Sequence, residues 1–293
     1  GCGALCSNTT AANNTGVGFR ALFANTTGIL NTAVGVCSSC AMTTGQQNIS
    51  MGGSSLIANT TGSRNSALGM SSLAANISGV DNTAVGHGAL SANTTASENT
   101  AVGRASLQSN TTGACNTALG FKSLNTNETG TNLTAIGIHA LKLNTESDNT
   151  AIGRDSMCTN STGSSNTAVG VNSLKANTTG TNNIVMGQAT LDANTTGSCN
   201  TAIGRSALGA NTTANNNTAV GKDSLLSNTT GASNVAIGAS ALVANTEGGV
   251  NVAIGCGALC TNTTASSNTA VGFKALLANT TGANNTAIGK IAL

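Results

Sequence analysis

The chain has 293 residues, of which 37 are Gly, none is Pro, Trp or Tyr, 1% are aromatic and 7% are charged. This composition argues against an ordinary globular enzyme with an aromatic core, whereas the 39% of apolar residues, chiefly Ala, Leu, Val and Ile, argues against disorder. A formal net charge of +2 is too small for a nucleic-acid binder, and no stretch has the roughly 18 to 20 apolar residues of a membrane span.

The predicted elements all come from one repeat. Gly recurs every 17 residues from Gly1 to Gly137 and again from Gly153 to Gly289, with a single step of 16 between Gly137 and Gly153. With this Gly as position 1, the consensus is G-x-x-[AS]-L-x-x-N-T-T-G-x-x-N-T-A-[VI]. Asn, Thr and Gly interrupt every apolar run, which excludes amphipathic helices.

In chain order, each copy predicts a short strand at Asn-Thr-Ala-Val/Ile, closed by Gly, and a turn at Asn-Thr-Thr-Gly. The sequence therefore predicts an all-β fold, a parallel β-solenoid (β-roll) of about seventeen 17-residue coils in one domain over 1–293. Coils stacked at about 4.8 Å would form a rod roughly 80 Å long. Leu133 in place of the usual Asn, and one residue missing between Asn144 and Asn149, predict a register irregularity near 133–149.

Two positions carry the large apolar side chains. These are Leu at position 5, with Ser39 and Met157 as exceptions, and an aliphatic residue or Met at position 17. Because side chains alternate along a strand, positions 15 and 17 are expected to face the core together, as the replacement of Thr by Val235 suggests. The Ala between them would then form a flat outer ladder with Ser50 and Gly16. We expect this small-residue surface to contact a close neighbour.

Two large apolar side chains in each coil are too few to offset the entropy of ordering its backbone. Solenoid ends also need caps, which the repeat does not show. We therefore expect partners, and copies of the same chain in a trimer or filament are the expected ones. The chain lacks an initiator Met and begins inside the pattern, so we expect a processed chain or part of a longer protein.

Three strings carry a family resemblance: Asn31-Thr32-Ala33-Val34-Gly35, Asn149-Thr150-Ala151-Ile152-Gly153 and Asn285-Thr286-Ala287-Ile288-Gly289. They resemble the N-S-V-A-I-G signature of the YadA-like heads of trimeric autotransporter adhesins. The longer repeat resembles units of phage and bacterial tail-fibre proteins. The resemblance implies a left-handed parallel β-roll, assembly as a trimer or other fibre, and an adhesive role on a cell or virion surface.

Position 8 supplies candidate glycosylation sites, because most copies begin an Asn-x-Ser/Thr acceptor there. The candidates are Asn8, Asn25, Asn59, Asn76, Asn93, Asn110, Asn127, Asn160, Asn177, Asn194, Asn211, Asn228, Asn262 and Asn279. The alternative is a ladder of stacked Asn and Thr that satisfies backbone groups at a turn. Glycans on rungs about 5 Å apart would collide. A second Asn column at position 14 is usually followed by Thr-Ala, which is not an acceptor sequence, so the ladder is favoured.

Nine cysteines are present. The string Gly-Cys-Gly-Ala-Leu-Cys occurs near both ends of the chain. Its cysteines, which we expect either to form disulfides between subunits or to stay free, are Cys2, Cys6, Cys256 and Cys260. Cys37 and Cys40 form a C-x-x-C motif, but one such motif without a second pair is weak evidence for zinc or redox chemistry. We expect no metal and no other cofactor.

Charged residues do not suggest an active site. His87 and His139 lie three repeats apart, and the carboxylates form no acid/base pair, so we do not expect an enzyme. Most basic residues occupy positions 2 and 3: Arg20, Arg104, Lys122, Arg154, Arg205, Lys222, Lys274 and Lys290. They predict either a solvated edge or an adhesive edge for an anionic host or cell-surface glycan. Phe19, Phe121 and Phe273 share position 2.

Two functions remain open. The first is a non-catalytic, extracellular fibre, filament or adhesin segment that works through coil stacking and subunit assembly. The second is an ice-binding solenoid that uses Thr ladders. The Thr row considered for this role at position 10 includes Thr10, Thr27, Thr61, Thr95 and Thr112. Adjacent Thr residues in a turn fit a flat ice-contact row less well than Thr-x-Thr on one strand face.

Overall fold

The computed structural model describes residues 1–293 and contains only β-structure and turns, without a helix. Each strand covers positions 15 to 17 of one repeat. The strands are β1 Thr15–Val17, β2 Thr32–Val34, β3 Ile49–Met51, β4 Ser66–Leu68, β5 Thr83–Val85, β6 Thr100–Val102, β7 Thr117–Leu119, β8 Thr134–Ile136, β9 Thr150–Ile152, β10 Thr167–Val169, β11 Ile184–Met186, β12 Thr201–Ile203, β13 Thr218–Val220, β14 Val235–Ile237, β15 Val252–Ile254, β16 Thr269–Val271 and β17 Thr286–Ile288.

The chain divides into two compact units, Gly1–Asp148 and Asn149–Leu293. The first unit contains β1 to β8 and the second contains β9 to β17. Within each unit, every strand pairs in parallel with the next strand along the chain. Equivalent residues face each other, as the pairs Thr15 with Thr32 and Thr201 with Thr218 show. The predicted all-β, parallel solenoid is confirmed.

Leu at position 5 forms the centre of the core, as the sequence predicts. Leu22, Leu107 and Leu208 are fully buried. Each lies in the left-handed region, with a φ of 52° at Leu22, which is unusual for a residue with a branched side chain. The backbone N–H of Leu22 donates to Ser38 O of the next coil at 3.1 Å. Stacking and burial thus hold a conformation that an isolated turn would disfavour.

The predicted orientation of the strands is wrong. Ala at position 16 is buried, with Ala33 and Ala118 at 0% exposure, whereas Val17 is 55% and Ile184 is 52% exposed. The small-residue column is therefore an inner column, and positions 15 and 17 point outward. The physical reason is space, because a side chain at Gly16 would begin 3.3 Å from Leu5 Cγ. The Leu opposite fills the thin interior and leaves room for little more than a methyl group.

The Gly at position 1 is required by close stacking of the backbone. Gly52 has a φ of 135°, and a Cβ there would lie 2.6 Å from the carbonyl carbon and oxygen of Gly69 in the next coil. Backbone atoms cannot move away without breaking the ladder, since Gly69 N donates to Met51 O at 2.7 Å. Any other residue would separate the coils.

The predicted irregularity corresponds to a shortened turn at the end of the first unit. In other coils the position 8 Asn donates to the carbonyl three residues on, as Asn127 Nδ2 does to Gly130 O at 3.1 Å. Asn144 Nδ2 instead donates to Glu146 O, two residues on. Leu133 takes the place of a ladder Asn with its side chain buried, and its backbone N–H still donates to Asn116 Oδ1 at 3.0 Å.

Candidate interaction surfaces

The outward strand face is the most distinctive surface of each unit. We define it as the side chains at positions 15 and 17, from Thr15 and Val17 to Thr286 and Ile288. Thr, Ser, Ile and Val occupy position 15, and Val, Ile, Leu and Met occupy position 17, so no charged side chain lies on it. Its large apolar side chains are either exposed, such as Met186 with 52% of its surface accessible, or half-buried, such as Val102. Isolated exposed aliphatic residues are common, but continuous columns of them mark interaction sites.

The candidate glycosylation residues lie mainly in the interior. Except for the half-buried Asn8 and Asn279 at the ends, every asparagine proposed as an acceptor is fully buried. Asn110 shows the arrangement, because its Nδ2 donates to Asn93 Oδ1 at 3.1 Å and to Gly113 O at 2.9 Å. A glycan on Nδ2 would have to displace both partners and the stacked coil, so burial removes these residues as acceptors in the folded chain. The contacts of these Asn side chains are those of the alternative interpretation, a ladder of stacked amides.

The second Asn column joins the first at shared carbonyl groups. Asn99 Nδ2 also donates to Gly113 O, at 2.9 Å, so this carbonyl oxygen accepts from both columns. The backbone N–H of Asn116 donates to Asn99 Oδ1 at 3.0 Å. The position 8 amides therefore bond the backbone of their own coil and the amide of the preceding coil, whereas the position 14 amides bond backbone groups of the next coil. Buried polar groups with partners stabilise the stack.

The position 8 ladder is interrupted once. Met42 stands where the other coils have Asn, and it is fully buried. Asn25 Oδ1, which would accept from an amide at position 42, has no hydrogen-bond partner and is buried. This unpaired acceptor is the direct cost of the replacement.

The nine cysteines form no disulfide within the chain. Of the four residues considered for disulfides between subunits, Cys2, Cys6 and Cys256 are exposed and Cys260 is half-buried. Burial raises the pKa of the Cys260 thiol, and burial together with Cys37 raises that of Cys40. The side chains of His, Cys, Asp and Glu form no group of three that could hold a metal ion.

Positions 2, 3 and 6 form an edge that contains all four Phe residues, and we call it the basic–aromatic edge. The basic residues predicted at positions 2 and 3 are exposed there, apart from the half-buried Lys122. Several of them lie over rings: Arg20 Cζ is 4.3 Å from the centroid of Phe23, and Lys274 Nζ is 5.3 Å from that of Phe273. Such contacts orient a flexible cation without neutralising it.

The largest group on this edge surrounds Phe121, and we call it the Phe121 cluster. Arg104 Cζ lies 5.7 Å and Lys122 Nζ lies 5.3 Å from the ring centroid. His139 packs on the same ring, with centroids 5.6 Å apart and an interplanar angle of 50°. Residues of three successive coils thus meet at one aromatic side chain. His87, by contrast, is exposed and is not part of this group.

The carboxylates are dispersed, as the sequence indicates. Arg64 and Asp81 form a two-point ion pair at 2.7 and 2.8 Å on an exposed surface, which lowers the pKa of Asp81. Asp192 lines a shallow cavity of about 450 Å³ with Ser206 and Leu226, and burial raises the pKa of its carboxyl group. No second carboxylate or His lines this cavity, so it offers no acid/base pair.

Threonine occurs in two different settings at the Asn-Thr-Thr turn. At position 9 the hydroxyl is used internally, since Thr26 Oγ1 donates to Thr43 O of the next coil at 3.1 Å. At position 10 the residues considered for ice binding, such as Thr27 and Thr61, are exposed. A third Thr column, at position 15, lies on the outward strand face beside the aliphatic column.

No protein-family model and no curated protein matches the chain. The likeness to YadA-like heads, with its implied left-handed coil, therefore stays a prediction from the quoted motifs. The structure contains no helix that is long and apolar enough to cross a membrane.

Proposed function

We propose that the chain is a non-catalytic structural segment of an extracellular fibre, filament or adhesin that assembles with copies of itself through the outward strand face. One observation carries the proposal: in every coil this face excludes charge, and its aliphatic side chains at position 17 are exposed or half-buried rather than buried in the core. A second copy that covered these columns would bury apolar area and exclude water from the outer sheet surface. The contact face differs from the predicted small-residue ladder, which is internal.

Assembly would also add stability that a single coil cannot gain from its own core. A solenoid coil gains little from its own thin core, so its stability comes from neighbours that continue the backbone and amide ladders. Burial of a second face adds to that gain along the whole length of a unit. Charged residues are confined to the turns, where they keep the assembly soluble without entering the contact.

The test is sedimentation of the full chain and of variants with one lysine on the face. Ile184→Lys and Ile237→Lys should weaken self-association by about tenfold or more, because a buried unpaired ammonium is costly. Val250→Lys is the matched control, since Val250 is 62% exposed in the same unit but at position 13, where Arg64 occurs naturally. A wild-type chain that stays monomeric at micromolar concentration would refute the proposal.

Ice binding is the second candidate, and a specific observation favours it. Thr at position 15 and Val or Ile at position 17 point outward together, so hydroxyl and methyl groups repeat at the strand spacing on an uncharged surface. This is a better ice-contact surface than the position 10 row considered from the sequence. Thermal hysteresis of the wild-type chain, lost in Ile184→Lys, would support ice binding, whereas filaments without hysteresis would support the fibre.

A further inference from the structure

We propose that the Phe121 cluster binds an anionic carbohydrate, a sugar that carries carboxylate or sulfate groups. The proposal rests on the proposed adhesive fibre and specifies its ligand. Arg104, Lys122 and His139 are gathered on one ring by contacts of 5.3 to 5.7 Å. The ring holds the guanidinium and ammonium groups in place, so little side-chain entropy is lost when an anion binds.

The charge distribution of the first unit makes this edge attractive to anions. Positions 2, 3 and 6 of its coils contain Arg20, His87 and Lys142 besides the cluster, but no Asp or Glu. The carboxylates of the unit occupy other parts of the repeat: Asp81, Glu98, Glu128, Glu146 and Asp148. Arg104 and Lys122 form no ion pair, in contrast to Arg64, which Asp81 holds at two points. Their charges therefore remain available to a ligand.

Amide groups beside the cluster suit the hydroxyl groups of a sugar. Asn125 Nδ2 donates to Ala105 O at 3.0 Å and to Gln108 Oε1 at 3.1 Å. This arrangement fixes the Gln108 amide and leaves its Nε2 free to donate to a ligand. Phe121 is half-buried, and its accessible part offers an apolar contact for sugar C–H groups. A single ring is not the row of stacking platforms that single-stranded nucleic acid requires.

The experiment is calorimetric titration of the full chain with four probes: a heparin hexasaccharide, hexagalacturonate, neutral maltohexaose and a single-stranded DNA oligomer. Binding of one or both anionic sugars, weakened by salt, and no binding of the neutral probe are expected. Arg104→Gln, Lys122→Gln and Phe121→Ala should each weaken that binding about tenfold, because each removes a charged hydrogen bond or its support. These positions accept many residue types, so the variants should fold.

Phe273→Ala and Lys274→Gln are matched controls, since the same Gly-Phe-Lys string lies there with only one cation over the ring. They should bind like the wild type. Absence of binding, equal binding of the neutral probe, equal loss in the controls, or tighter binding of a single-stranded DNA oligomer would each overturn the proposal. Sedimentation of the same samples separates the two ideas, because a monomer that binds the anionic sugar contradicts only the assembly.

Discussion

At the scale of single residues, the coil 35–51 shows how a thin core tolerates exceptions. Ser39 stands where the neighbouring coils have Leu, and Met42 stands where they have Asn, yet both are buried. The long Met side chain fills space that the missing Leu would occupy, while Ser39 and Ser38 hydrogen-bond to Ser50 Oγ at 2.8 and 2.7 Å. The two exceptions therefore compensate each other in volume, and the unpaired Asn25 Oδ1 is what remains.

This compensation predicts strong coupling between positions 39 and 42. Met42→Asn alone leaves a void and Ser39→Leu alone overpacks the core, so each should lower the free energy of unfolding by about 1 to 3 kcal/mol. The double variant restores the consensus and gives Asn25 Oδ1 a donor, so it should be at least as stable as the wild type. Thermal and urea unfolding of all four proteins test this, and additive losses in the double variant would contradict it.

At the scale of the strand, the sequence predicts the element but not its orientation. The period of 17 and the Thr-Ala-Val/Ile strings place all the strands at positions 15 to 17. The sequence-based prediction of the orientation is wrong because it places the larger side chains of each strand in the interior, where little more than a methyl group fits. A usable signal was present, since position 15 mixes Thr, Ser, Val and Ile, as a surface does, whereas position 16 accepts almost only Ala, Ser50 or Gly16, as a crowded interior does.

Adjacent residues of β7 give a matched test of this orientation. Ala118→Ile should destabilise the chain by about 3 kcal/mol, because the side chain enters a space that Leu already fills. Thr117→Ile should change stability by no more than about 0.5 kcal/mol, since Thr117 is exposed and Ile49 and Ile184 occupy the same position naturally. Thermal melting compares the two variants, and greater damage from Thr117→Ile would mean that the strand faces the other way.

At the scale of the whole molecule, the repeat predicts which residues stack in one column but not which side-chain contacts they make. Position in the repeat already places Arg104 and Phe121 in one column and His139 beside it. The repeat does not encode side-chain rotamers. These decide which cations lie over an aromatic ring and which charged groups form no ion pair. The burial of the position 8 Asn side chains is likewise visible only in the stacked coils and not in the repeat itself. The repeat shows only that glycans on neighbouring coils would collide, which already favours a ladder.

Covalent links between assembled chains can be tested at the four cysteines near the ends of the chain. If Cys2, Cys6, Cys256 and Cys260 join subunits, dioxygen should oxidise two thiols to a disulfide, taking up their two electrons and two protons to become hydrogen peroxide. Non-reducing electrophoresis of the assembled chain should then show covalent oligomers that reductant converts to monomers. Serine at these four positions should abolish the oligomers without changing sedimentation. Cys115→Ser and Cys199→Ser, at exposed sites in position 13, should keep them. Monomers without reductant would contradict the disulfides but not the non-covalent assembly.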